Sequence, residues 1–190
     1  KKIIVASSAA VYGEGNEKYK ITEQTKLNAI SPYGESKIEM EKEIIKFCSN
    51  NQINYVILRF FNIYGLNQSM EYAGVITKFL EKIEKSENLI IFGDGRQTRD
   101  FVAIEDIINS IHNAMEYTEN GIFNIASGEK ITIKELAELM ILLSNKTLDI
   151  EYVKAKKGDI KYSEADIQLA KNYLNYFSKI ELKDGIKKLM

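Results

Sequence analysis

The sequence predicts an α/β fold built on a parallel sheet, on the strength of three observations. Two strongly apolar, β-branched segments, "KKIIVASS" at residues 1–8 and "INYVILRFFNIYG" at 53–65, flank a long helical pattern. Neither alternates apolar with polar residues as a strand with one wet face would, and continuous apolar runs mark strands covered on both faces. Strand-like and helix-like segments then keep alternating to the end of the chain, as βαβ units do.

Taken in order, the first strand runs into "SSAAVYG", and a polar stretch with Gly13, Gly15 and Asn16 reads as a loop to about residue 30. Ser31 and Pro32 form a helix start, and the helix beyond them carries Ile38, Ile45 and Phe47 among charges as its half-buried side. Gly65 closes the second strand. "AGVITKFLEKIEKS" is an amphipathic helix, "LIIFG" a short strand, "GDGRQTRDF" a polar loop and "AIEDIINSIHNAMEY" another helix. "GIFNIAS" is a strand, Thr132 with Glu135 three residues on caps the next helix, and "LDIEYV" leads to the loop "KAKKGD". Two short helices are expected from Ser163 and from Ser178. Only one proline and no repeat or linker interrupt the 190 residues, so the second half is expected to interleave with the first.

Composition bounds the function. With 45% hydrophobic and 28% charged residues the chain is an ordinary globular one, long enough to bury a core. Lys plus Arg number 26 against 27 Asp plus Glu, a net charge of -1 that creates no field to gather nucleic acid or an anionic membrane. The single Cys48 forms no internal disulfide, and no apolar run is long enough to span a bilayer, so a cytoplasmic protein is expected. His112 stands alone and no metal site is expected; Glu105 and Asp106 read as capping or solvating their helix.

The chemistry concentrates in "SSAAVYG" and "SPYGESK". Tyr33 and Lys37 are four residues apart and share a helix face. A phenol is a poor base at neutral pH, but a nearby cation favours its ionised form, after which it can take and return an alcohol proton. A serine at the carboxyl end of a parallel strand is placed to bond the same oxygen. Alcohol oxidation also needs a hydride acceptor, which no side chain supplies, so a nicotinamide cofactor is implied. A lone YxxxK pattern is common on solvated helices; the order and placement of the three residues raise its weight.

With "SSAAVYG", "SPYGESK", "RFFNIYG", "YAGVITKFL", "IFGDGRQTRDFV" and "FNIASGEKITIKELA" in order, the chain resembles the extended short-chain dehydrogenase/reductase family of NAD-dependent nucleotide-sugar epimerases and dehydratases, most of all its UDP-glucose 4-epimerase branch. The resemblance covers residue 3 to about residue 170. It implies a Rossmann-type sheet with a smaller α/β substrate region, and NAD as cofactor. Ser8 takes the position of the catalytic Ser/Thr, Tyr33 that of the base, and Lys37 that of its partner, which also holds the nicotinamide ribose. Phe61 is implied at the nicotinamide. Asn62, Phe92, Arg99, Lys156 and Asp159 are implied around a UDP-sugar, with Arg99 on a phosphate or ribose and Phe92 beside the base. Residues 1–65 then form the C-terminal part of the NAD-binding domain and 66–190 most of the substrate region. A homodimer through "EMEKEIIKF" is possible on the same grounds, and no nucleic acid or membrane partner is implied.

Three departures stand out. The loop "YGLNQS" lacks the usual proline and basic residue. "KKGD" places Lys156 where an arginine is usual, keeping the charge and losing the bidentate fork. No GxxGxxG turn, the usual pyrophosphate seat, occurs anywhere in the chain, so an N-terminally truncated member is expected. Ala9 and Ala10 stand where dehydratases carry an acid pair and decarboxylases an acid, which disfavours both reactions and leaves 4-epimerisation. The alternatives are a non-catalytic sugar-nucleotide-binding module and another NAD-dependent reductase, dehydratase or decarboxylase of the family.

Overall fold

The computed structural model describes residues 1–68, 74–156 and 158–190. Its central sheet has three parallel strands in the order β1 (Lys2–Ser8), β2 (Asn54–Phe60), β7 (Gly121–Ile125). Between β1 and β2 runs α1 (Pro32–Asn51), the crossover that a parallel pair requires. Ser31 caps α1 by accepting from the Gly34 amide, and Pro32 occupies the first turn, where its missing N–H costs nothing. Val56 to Arg59 of β2 are buried in succession, so both faces of this strand are covered, by helices that include α1 and α3 (Ile104–Glu116).

The second apolar segment is two strands, not one. Its chain leaves the central sheet at Phe61, whose amide donates to the Ile125 carbonyl, and continues as β3 (Asn62–Tyr64), paired with β6 (Phe101–Ala103). Two further pairs complete the outer region. β4 (Leu89–Phe92) runs parallel to β9 (Ile150–Val153), and β5 (Thr98–Arg99) antiparallel to β8 (Ile131–Thr132). The polar segment at 93–101 thus contains a short strand where a loop is expected, because Thr98 and Arg99 find ladder partners in residues 131 and 132. The remaining helices are α2 (Val75–Glu84), α4 (Ile133–Ser144), α5 (Gln168–Leu174) and α6 (Leu182–Leu189). Thr132 and Glu135 form the expected capping box on α4. The last two helices begin later than Ser163 and Ser178, because Ser163 and Ala165 are tied to Thr98 and Asp100, and Ser178 and Lys179 to Asp106.

Two apolar clusters hold the chain. One includes Val11, Leu58, Phe61, Ile107, Phe123 and Tyr176; the other includes Tyr64, Phe79, Ile91, Leu136, Met140 and Ile186. On α1 the buried positions are Gly34, Glu41 and Cys48, a seven-residue spacing, whereas Phe47 is 51% exposed. Phe47 is therefore not part of the buried side, which turns on a carboxylate instead. Asp106 corrects a second reading: it is fully buried, accepting from the Ser178 hydroxyl and from the Lys179 and Ile180 amides, so it pins the C-terminal segment to α3. His112 is exposed. No helix among the described residues is long and apolar enough to cross a membrane.

Candidate active site

The carboxyl ends of the three central strands lie in one row. Ser8 stands opposite Phe60, and Phe60 opposite Ile125, so the segments leaving the three strands open on the same rim, where ligands of parallel sheets bind. After β1 the chain makes a tight 3-10 turn, Ala9–Val11, capped by the Ser8 hydroxyl accepting from the Ala10 amide at 3.1 Å. The first turn of α1 sits directly on it: a Cβ on Gly34 would lie 2.5 Å from the Ala10 carbonyl oxygen. Only glycine permits that approach.

Tyr33 and Lys37 project from this first stretch of α1. Tyr33 is 56% exposed, and the Lys37 ammonium lies 5.7 Å from its ring centre. One Lys37 proton goes to the Ala6 carbonyl at 3.0 Å, which ties the side chain to β1 and leaves two donors. A tethered ammonium and an exposed phenol beside the strand ends fit the hydroxyl-rich ribose and amide of a nicotinamide nucleotide. Phe61 differs: it is 5% exposed, its ring 6.4 Å from that of Tyr12 in the first cluster, so very little of it faces outward.

The other expected residues gather in a separate cavity, reached in sequence from the end of β2. A cavity of about 660 Å³ is lined by Asn62, Phe92, Arg99, Lys156 and Asp159 together with Gln97 and Phe101. Ser8, Tyr33 and Lys37 are not among its lining residues. The link between the two groups is short in sequence, since Asn62 comes two residues after the Phe60 that pairs with Ser8. Asn62 is fixed by donating both its amide and its Nδ2 to the Asp100 carbonyl, at 3.1 and 2.9 Å.

Arg99 is largely committed. Its Nη1 donates to the Thr98 and Ile160 carbonyls at 2.8 and 2.6 Å and its Nη2 to Asp159 Oδ1 at 2.7 Å, which leaves two N–H donors. Asp159, not Asp100 or Asp94, is its ion-pair partner; Asp94 bonds the Arg96 amide. Burial pulls the Arg99 guanidinium below its ordinary value, with Asp159 and Glu14 opposing. The ammonium of Lys156 rests 3.9 Å from the centre of the Phe92 ring, so one face of that ring is already taken by a cation. Tyr72 and Ala73 of the "YAGVITKFL" motif, Ser69 of "YGLNQS" and Lys157 of "KKGD" lie outside the described residues.

Three buried polar groups escape the sequence reading. Asp100 accepts from the Ser127 amide and hydroxyl and from the Gly128 and Ala165 amides; burial still pushes its carboxyl up to about 6, against those bonds. Glu41 and Arg59 form an ion pair of 2.6 Å with both side chains almost wholly enclosed. Burial works against the Arg59 charge, and its bonds with Glu41 and Tyr12 outweigh that, raising its pKa. Heptad spacing of Gly34, Glu41 and Cys48 is the signal that marks Glu41 as inward-facing.

The sequence profile described as the NAD dependent epimerase/dehydratase family matches residues 1–126. The chain belongs to this family. A Methanocaldococcus jannaschii protein bearing the name "Putative UDP-glucose 4-epimerase" is 37% identical over 191 residues, covering 100% of this chain and 62% of that one. Among solved structures, the UDP-glucose 4-epimerase of Thermotoga maritima with UDP-glucose superposes with a TM-score of 0.94 at 33% identity, covering 98% of this chain and 61% of that one. The UDP-glucuronic acid 4-epimerase of Bacillus cereus in complex with UDP-glucuronic acid and NAD gives 0.90 at 31%, covering 100% and 62%. UDP-glucuronic acid decarboxylases and a dTDP-glucose 4,6-dehydratase are also similar to it. The fold is therefore Rossmann-type α/β, and this family chain spans about three fifths of the length of such relatives.

Proposed function

We propose that this family chain carries the catalytic residues and the sugar-nucleotide site of an NAD-dependent 4-epimerase acting on a UDP-sugar of the UDP-glucose/UDP-galactose type. The observation that carries the reading is the Tyr33 and Lys37 pair seated on the Ser8 turn, with the cavity of Asn62, Phe92 and Arg99 opening two residues past the end of β2. NAD, when bound, supplies reversible hydride acceptance at the sugar C4. The chain's own residues do the rest. Tyr33 takes the 4-hydroxyl proton and returns it, the Ser8 hydroxyl bonds the same oxygen, and Lys37 holds the nicotinamide ribose. Arg99, Asn62 and Lys156 supply donors to the diphosphate and ribose, and Phe92 offers its free ring face to the base.

The choice of reaction rests on the turn after Ser8. Ala9 and Ala10 place no carboxylate there, and the nearby Glu41 is spent on Arg59 and Ser7. Dehydratases of the family carry an acid pair at that place and the related decarboxylases usually an acid. In this reading residues 1–65 are the C-terminal part of the NAD-binding domain and 66–190 most of the substrate region, interleaved because β7 returns to the central sheet. Half-exposed Phe47 on α1 supports a homodimer through that helix, and the free thiol of Cys48 suits the reducing cytoplasm.

Incubation of the chain with NAD and, separately, UDP-glucose and UDP-glucuronic acid, with chromatography of the products, tests this. The 4-epimers are expected. A UDP-pentose from the second substrate would favour the decarboxylase reading, and sugar-nucleotide binding without any conversion the non-catalytic module.

A further inference from the structure

Building on the 4-epimerase reading, we propose that Glu41 is a positioning residue: through Ser7 and Arg59 it fixes the Ser8 turn against the helix that carries Tyr33 and Lys37. One row of residues crosses the central sheet immediately before the strand ends, Ser7 opposite Arg59 and Arg59 opposite Asn124. All three are polar, and they are 3%, 3% and 0% exposed. Strands covered on both faces hold apolar residues at such places, so this row breaks the pattern where the sheet meets the site.

The row is tied into one network. Glu41 Oε1 accepts from the Ser7 hydroxyl at 2.5 Å and from Arg59 Nε at 3.0 Å, and its Oε2 from Arg59 Nη2 at 2.6 Å. Arg59 Nη1 donates to the Tyr12 hydroxyl at 2.8 Å, which donates to Asn124 Oδ1 at 2.6 Å. Asn124 in turn donates through Nδ2 to the Ile21 carbonyl at 2.9 Å. Ser7 and Tyr12 bracket the Ser8 turn, so both its ends are held by a single ion pair. Tyr33, Lys37 and Glu41 succeed one another at four-residue spacing on α1, and the last two grip consecutive residues of β1: Lys37 the Ala6 carbonyl, Glu41 the Ser7 hydroxyl.

Burying such a pair stabilises little, because desolvation offsets the attraction and apolar residues of like size often serve as well. What the pair does supply is geometry: a carboxylate with three fixed donors cannot slide along the strand. The spacing between Ser8 and Tyr33 is set by that.

The test compares Ser7→Ala, Ser7→Thr and Glu41→Gln with the unsubstituted chain in UDP-glucose conversion with NAD, in thermal unfolding and in crystal structures. Misplacing reacting groups by about 1 Å costs roughly 100-fold in rate. Ser7→Ala is therefore expected to lower kcat roughly 10- to 100-fold at unchanged KM, and Ser7→Thr, which keeps the hydroxyl, to restore it. Ser7→Ala leaves the ion pair with Arg59 intact, so it stays informative even where Glu41→Gln unfolds the chain. Unchanged kcat in Ser7→Ala, with only the melting temperature lowered, overturns the proposal. Absence of turnover in the unsubstituted chain counts against the assigned reaction instead, and the crystal structures then decide. In Ser7→Ala, an Ala9–Val11 turn displaced from Gly34 supports the positioning role, and one still seated there refutes it.

Discussion

The Lys37 ammonium stands 5.7 Å from the centre of the Tyr33 ring and is held there by the Ala6 carbonyl of a different element, the first strand. A lysine on an exposed helix face ordinarily samples many rotamers. This one is anchored across the helix–strand junction, which keeps a cation beside the phenol.

Tyr33→Phe is expected to abolish turnover and to leave UDP-glucose affinity within about two-fold, since the proton path alone is lost. Lys37→Met should lower both turnover and NAD affinity. Steady-state kinetics with calorimetric titration of each ligand checks both, and loss of UDP-glucose binding in Tyr33→Phe would count against the assignment.

Arg99→Ala removes a partly buried donor from the cavity. Hydrogen bonds to charged groups contribute about 1.5 to 3 kcal/mol, so UDP-glucose affinity should fall roughly 10- to 100-fold with a smaller effect on kcat. Asp159→Asn, which loosens Arg99 without deleting it, should weaken binding less. Equal affinities in wild type and Arg99→Ala would refute the role.

Much of this arrangement is legible in the sequence. Ser31 and Pro32 announce the helix that presents Tyr33, the Thr132 and Glu135 capping box closes as spaced, and the five residues expected around a UDP-sugar line one cavity. Other features are not local and leave no local trace. The break at Phe61 depends on the Ile125 carbonyl, far along the chain. The exposure of Phe47 depends on a helix face that Gly34 sets through its approach to Ala10. Pairing of Arg99 with Asp159, rather than with its neighbour Asp100, depends on a loop sixty residues away. Asp100 is buried because its carboxylate organises amides at 127, 128 and 165.

Asp100 gives a pH prediction. Burial raises its carboxyl from 3.8 to about 6. The folded chain therefore binds a proton that the unfolded chain releases, so this group's contribution is fully present below 3.8 and is lost as pH rises to about 6. Denaturant midpoints measured between those values should fall relative to Asp100→Asn as pH increases, although the variant is the less stable overall because its amide faces four donors. Parallel pH profiles would contradict the shift.

Thr132→Ala should cost about 1 kcal/mol by opening the capping box of α4, read as a lowered urea midpoint at unchanged slope. Thr132→Ser should recover most of it.

The central claim is reversible oxidation at the sugar C4, and the most direct measurement is NMR of the products formed from UDP-glucose deuterated at C4, with NAD and this chain. The account predicts UDP-galactose that retains the deuterium at C4, because hydride and hydroxyl proton travel separate paths, with Tyr33 handling only the proton. UDP-galactose that has lost its label, or a product other than the 4-epimer, would contradict it.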